Sequence, residues 1–181
     1  MLRMIFSACL LLCVLGAASS LSCGWLGQKF TQHSETSFML LDSMGRAEDA
    51  GPEDAHPPFP YNLYEQASSV SDEDKLAVAV QVLREVFALF EEDYSAASWE
   101  ESTVDNFLNV VNTQADELSS CLVSQHRTRI TRKMHVYFKR LSHHVLQHRS
   151  HSVAAWELVR NQIKLHLIRV HQLVSSVPSA L

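Results

Sequence analysis

The chain has 181 residues, 46% of them hydrophobic and 19% charged, with a formal net charge of −5 and only five glycines and five prolines. That composition suits one folded domain with a single core, and its acidic balance argues against nucleic acid as a partner. From Tyr61 to Val177 there is neither glycine nor proline, so the tight turns of a sheet protein have nothing to build them and the fold reads as all-α.

Residues 1–22 read as a secretory signal peptide. Arg3 gives the positive start, Met4 to Leu15 the apolar stretch, and Gly16 to Ser22 a run of mostly small residues. Cleavage is placed before Cys23, with the Ala18–Ser19 bond as the alternative, leaving 23–181 as one secreted helical domain. The apolar stretch is too short to span a bilayer, and the longest later run, Leu76 to Val80, is shorter still, so no membrane insertion is expected. Two of the four cysteines, Cys9 and Cys13, leave with the signal. The remaining pair, Cys23 and Cys121, is most simply one disulfide in an oxidising compartment. Closing so long a loop stabilises a fold by roughly 4 kcal/mol in the chain-entropy account.

Five segments then show helical periodicity. The first, Leu26 to Met44, places Phe30, Phe38, Leu41 and Met44 near one stripe and is stopped by Gly45. A long overhand connection, Gly45 to Ser69, holds Pro52, Pro57, Pro58 and Pro60 and has no clear period. The second helix opens at Ser71-Asp72-Glu73-Asp74 and carries Leu76, Ala79, Val80, Leu83, Val86, Phe87 and Phe90. Ser98-Trp99-Glu100-Glu101 has the capping-box pattern and launches a third helix through Val104, Phe107, Val111, Ala115 and Leu118. A fourth segment carries Ile130, Met134, Tyr137, Phe138, Leu141 and Val145, and a fifth Trp156, Val159, Ile163, Leu167, Val170 and Val174. Leu158, Leu165 and Ile168 widen the fifth beyond one stripe, so it is either central or turned toward a partner. The first, second, third and fifth segments form a four-helix bundle, with the fourth as a packed crossover. Long crossovers of this kind mark cytokine bundles.

Charge divides along the chain. Between Arg46 and Glu101 fourteen acids face three bases, while from Leu122 to Leu181 there are ten bases and one acid, Glu157. Acidic and basic helices pairing within the bundle account for part of this, and the excess on the last two helices favours an anionic receptor. His144 and His148 stand at i,i+4 with His151 close by, a spacing that can chelate a metal, but no carboxylate or cysteine completes the set. No metal and no cofactor is assigned. Phosphate cradles, nucleophile elbows and H-E-x-x-H helices are absent from the sequence, so the chain is read as not an enzyme.

The segment SHSVAAWELVRNQI, from Ser150, resembles the last-helix signature of type I interferons, usually of the form S-P-C-A-W-E-x-V-R-x-E-I. LLDSMG (Leu40 to Gly45), FALF followed by SAASWEES (Phe87 to Ser102) and VYFKRL (Val136 to Leu141) agree in order and spacing. The positions matching the family's second disulfide are Ala50 and Ala154, a joint loss that resembles the two-cysteine group of fish type I interferons and implies Cys23–Cys121 as the bridge that is kept. The resemblance implies an interferon-like bundle and a secreted, monomeric cytokine. Such a protein bridges two different class II cytokine receptor chains and triggers antiviral JAK-STAT signalling. One chain would be held by the overhand loop and last helix, the other by the opposite face of the second to fourth helices. Carried over by position, Arg160 matches the family's arginine, with Asn161 and Lys164 on its outward face. Asp54 falls near the family's loop arginine and so departs from the pattern. Phe87 matches a phenylalanine of the second receptor face, although the Leu83-Phe87-Phe90 spacing also fits the core. Another secreted helical cytokine or hormone is the alternative reading, and a helical ligand carrier or enzyme stands behind it.

Overall fold

The computed structural model describes Cys23 and residues 26–45, 57–123 and 127–178. The signal peptide assigned to residues 1–22, and Ala50 and Asp54 of the overhand connection, lie outside them. Six α-helices occur among the described residues: α1 (Leu26–Met44), α2 (Tyr61–Ser68), α3 (Asp72–Leu89), α4 (Glu101–Ser120), α5 (Arg129–Leu141) and α6 (Val153–Ser175). None is long and apolar enough to cross a membrane.

Three helix starts are capped by the residue types that prefer that position. Ser71, Thr128 and Ser152 each accept a backbone N–H three residues on, opening α3, α5 and α6. At α3 the cap is reinforced by Asp72, Glu73 and Asp74 at the positive pole of the helix. The capping box expected at Ser98 does not form. Ser98 sits in the left-handed region at φ 55°, and the N-cap is instead Glu100, two residues on, with α4 beginning at Glu101. Glu100 instead accepts the hydroxyls of Ser102 and Thr103. Trp99, between these residues, is turned inward onto Phe90 and Trp156, and that packing overrides the local pattern.

The second departure is α2, inside the connection that showed no period. Its eight residues make barely two turns, and Leu63, Tyr64 and Ala67 are buried. Tyr64 stacks on Phe59 at 5.6 Å, and both rings lie against His166 of α6. Helices this short are marginal alone, so α2 exists because the bundle gives its apolar side somewhere to go.

Side-chain pairs define the topology. Ser34 meets Gln114 and Lys29 meets Glu117, so α1 and α4 are antiparallel. Phe90 meets Phe107 while Arg84 reaches Ser119, setting α3 against α4. Phe30 lies beside His171 and Leu41 beside Arg160, setting α1 against α6. The four long helices therefore run up, up, down, down, and each parallel step needs a crossover. The first carries α2 and the second carries α5, which runs along α3 through His135–Glu85 and Ser142–Glu92. A disulfide joins Cys23 to Cys121, Cα atoms 5.9 Å apart, and ties the start of α1 to the end of α4.

Trp156 is fully buried at the centre of an aromatic cluster with Phe90, Tyr94 and Trp99, and its indole N–H donates to the Asp93 carbonyl at 2.9 Å. Each buried polar side chain has at least one partner, although among the described residues Gln114 Oε1 and His166 Nε2 have none. Gln114 donates to Ser34, the Tyr137 hydroxyl to Gln162, and the Tyr64 hydroxyl lies 2.6 Å from His166 Nδ1. Complete burial pushes the His166 imidazole down to about 3 and raises the Tyr64 phenol, so both groups are neutral in the folded protein.

Candidate functional site

The second turn of α6 carries one acid among the ten bases of the C-terminal stretch. Glu157 is only 5% exposed, and a carboxylate so placed needs partners. It has two: the Trp99 indole N–H at 3.2 Å on one oxygen and Arg160 Nε at 2.8 Å on the other. The Arg160 guanidinium goes further, donating from Nη1 to the backbone carbonyl of Leu41 at 3.2 Å. That carbonyl belongs to the last turn of α1, where carbonyls lack intrahelical donors and the helix dipole is negative. The guanidinium also fills the space that a Cβ on residue 45 would occupy, so Gly45 both ends α1 and admits the arginine.

Arg160 therefore does not extend freely from the surface as the helical period alone suggested. With 12% of its side chain exposed, it clamps α6 to the end of α1. Around this clamp lie the groups that do reach solvent. Lys164 Nζ pairs with Asp42 at 2.6 Å, both side chains about half exposed. Asn161 is exposed, and with Leu165 and Ile168, at 37% and 36%, it forms a stripe at i, i+4 and i+7 along the outer side of α6. The stripe is an apolar pair flanked by a polar residue and a base, the composition of an interface core rather than of a solvated helix. Sequence reasoning placed Leu165 and Ile168 only as a widening of the apolar surface. Their position out of phase with Trp156 and Ile163 was the available signal.

Phe87 lies elsewhere. It stands 37% exposed on α3, between the exposed residues Arg84, Ala88 and Glu91, while Val86, Leu89 and Phe90 take the core. Of the two readings of Phe87, the surface one fits the structure. Phe87 shares its face of α3 with Arg84, which reaches Ser119 of α4, so it lies on the α3–α4 side of the four-helix ring, across the bundle from the α1–α6 surface.

Some of the sequence's charge division is settled inside the molecule: Glu85 meets His135 at 2.7 Å and Glu92 meets His151 at 2.9 Å. The Glu92 carboxyl is held below its ordinary range, first by the hydrogen bond from His151 and then by Ser142. Arg129, Arg132, Lys133 and Arg140 of α5 have no acid within salt-bridge distance among the described residues, and they line a cleft of about 810 Å³ beside Pro58 to Leu63. His151, expected beside His144 and His148, is instead taken by Glu92, and His143 joins the other two.

The whole of this bundle, residues 26–177, matches the family model of the interferon alpha/beta domain. The chain belongs to the interferon alpha/beta family. Interferon a3 of Oncorhynchus mykiss is 30% identical over 155 residues, covering 86% of each chain. Interferon beta of Macaca fascicularis is 28% identical over 176 residues, covering 91% of each. Among solved structures, zebrafish interferon 1 superposes with a TM-score of 0.74 at 27% identity, over 86% of this chain and 99% of that one. The protein is thus a type I interferon family cytokine with the all-α bundle of that family, and not an enzyme. Seen in that light, the Trp156-Glu157-x-x-Arg160 signature has a physical meaning. The tryptophan plugs the core, the glutamate draws Trp99 and Arg160 together, and the arginine fixes the end of α1 beside the outer stripe of α6.

Proposed function

We propose that this interferon is secreted after removal of residues 1–22 and bridges two class II cytokine receptor chains as a monomer, starting antiviral JAK-STAT signalling. One receptor chain docks on the α1–α6 surface, where Asn161 and Lys164 make the polar contacts beside Leu165 and Ile168 and Arg160 holds the surface in place from its edge. The other docks on the α3 to α5 side, with Phe87 as its apolar anchor. The observation that carries this reading is the pairing of two separate exposed apolar patches on one bundle, Phe87 on α3 and Leu165 with Ile168 on α6, each flanked by charge. Exposed apolar anchors set in a polar surround are what binding hot spots are built from.

Cells of a suitable fish species carrying an interferon-responsive reporter provide the test. Purified protein is expected to activate the reporter. Asn161→Ala with Lys164→Ala is expected to weaken receptor binding and signalling ten-fold or more, about 1.4 kcal/mol per decade, with helicity unchanged. Lys164 and Asp42 are an exposed pair, so their separation costs the fold at most about 1 kcal/mol. Wild-type potency in the folded double variant would remove this surface from the receptor site.

A further inference from the structure

We propose that His143, His144 and His148 form a binding site for one divalent transition metal of the zinc class, at the corner between α5 and α6. In a straight α-helix residues 144 and 148 share a face, but 143 and 148, five residues apart, are about 140° apart around the axis and cannot converge. Here the helix is not straight. After Leu141 it widens over Ser142–Leu146 to i→i+5 hydrogen bonding and then tightens over Gln147–Arg149 before the chain turns into α6. The widened turn brings residue i+5 back over residue i, a distortion that recurs at functional sites.

The three rings consequently stand together. Ring centroids lie 5.0 Å apart for His143 and His144, 5.1 Å for His143 and His148, and 5.7 Å for His144 and His148. A nitrogen from each lies within 4.8 Å of the others. Two nitrogens on one tetrahedral zinc are roughly 3.4 Å apart, given bonds of about 2.05 Å. Exposed imidazoles cover the difference by small side-chain rotations. His135, His151 and His166 each have one ring nitrogen engaged, by Glu85, Glu92 and Tyr64, whereas the contacts of these three rings among the described residues are with one another.

Imidazole nitrogen is the donor that suits zinc, copper and nickel, not calcium or magnesium. Three histidines with a fourth position left to water is an established zinc arrangement. Lys139 lies beside His143, but the same shallow groove is lined by Glu85 and Glu92 of α3, so the local field does not exclude a dication.

Titration calorimetry of tag-free, chelator-stripped protein with Zn²⁺ tests the assignment. One saturable ion per chain is expected, with a raised melting temperature. His143→Ala, His144→Ala and His148→Ala should each weaken binding ten-fold or more with circular dichroism unchanged, while His151→Ala should bind as wild type. Absence of saturable binding overturns the site. So does wild-type affinity in His143→Ala, which would reduce it to an ordinary i,i+4 pair, or binding that survives in the triple variant.

Discussion

Arg160→Ala tests the clamp, and its cost follows from burial. The substitution leaves the Glu157 carboxylate, 5% exposed, with the Trp99 indole as its remaining hydrogen-bond partner and no cation paired with it among the described residues. Breaking a buried ion pair by removing one member costs about 3–5 kcal/mol, and the lost bond to the Leu41 carbonyl adds about 1 kcal/mol. Both side chains lie near the edge of the bundle, and water entering the space vacated by the guanidinium can hydrate both the carboxylate and the Leu41 carbonyl, which offsets the lost bond and leaves the lower end of the ion-pair cost: about 3 kcal/mol. For a domain of this size that is a melting-temperature drop of about 6–12 °C. Urea and thermal unfolding followed by circular dichroism measure it. Glu157→Gln added to Arg160→Ala keeps an acceptor for Trp99 and removes the stranded charge, so it should recover more than a third of the loss. A melting temperature within 1 °C of wild type in the single variant would refute the clamp and return Arg160 to the role of a freely presented surface base.

Trp156→Ala is expected to cost about 3–5 kcal/mol in the same unfolding assay, since it empties a fully buried site and strands the Asp93 carbonyl. Phe87→Ala, at a residue 37% exposed, should cost the fold less than about 1.5 kcal/mol yet abolish binding of one receptor chain in surface plasmon resonance while sparing the other; a loss of 3 kcal/mol or more in stability would restore the core reading. His166 has a folded value of about 3, depressed from 6.5 by burial. The unfolded chain therefore binds a proton that the folded chain does not between these values, and stability is full above about pH 6.5 and falls as pH drops through the window. At pH 5 this group alone should remove about 2 kcal/mol, measurable by urea unfolding at pH 7 and pH 5, and His166→Gln should flatten that slope.

Long elements were legible because burial along them is periodic. α1, α3, α5 and α6 each repeat their apolar residues over three turns or more, and the stripe that predicts the helix is the stripe that the bundle buries. Where the sequence misled, a contact across many residues had decided the outcome. The eight residues of α2 are too few for a period, and their helical state rests on Phe59 and Tyr64 meeting His166, a hundred residues later. Ser98 has the right residue three before Glu101, but Trp99 between them is drawn to Glu157, and the backbone follows the tryptophan. His143 was passed over because a regular helix points it away from His148, and nothing in the local sequence announces that the turn widens.

The candidate site shows the same division more sharply. The helical period gives the direction in which Arg160 leaves α6, but not what stands there to receive it. One clue was present: Glu157 is the only acid after Leu122 and sits three residues before that arginine, where an i,i+3 pair is expected. An isolated acid in a basic, apolar helix is costly to bury unless its partners are built in, so its position marks where the fold has committed cations and donors in advance. Glu157 thus accounts for three features at once: the inward turn of Trp99, the fixed guanidinium of Arg160, and the anchoring of α1 at Leu41. The outer surface beside it, proposed above as a receptor contact, is left with Asn161, Lys164, Leu165 and Ile168, residues that reach solvent and do not take part in the Glu157 network.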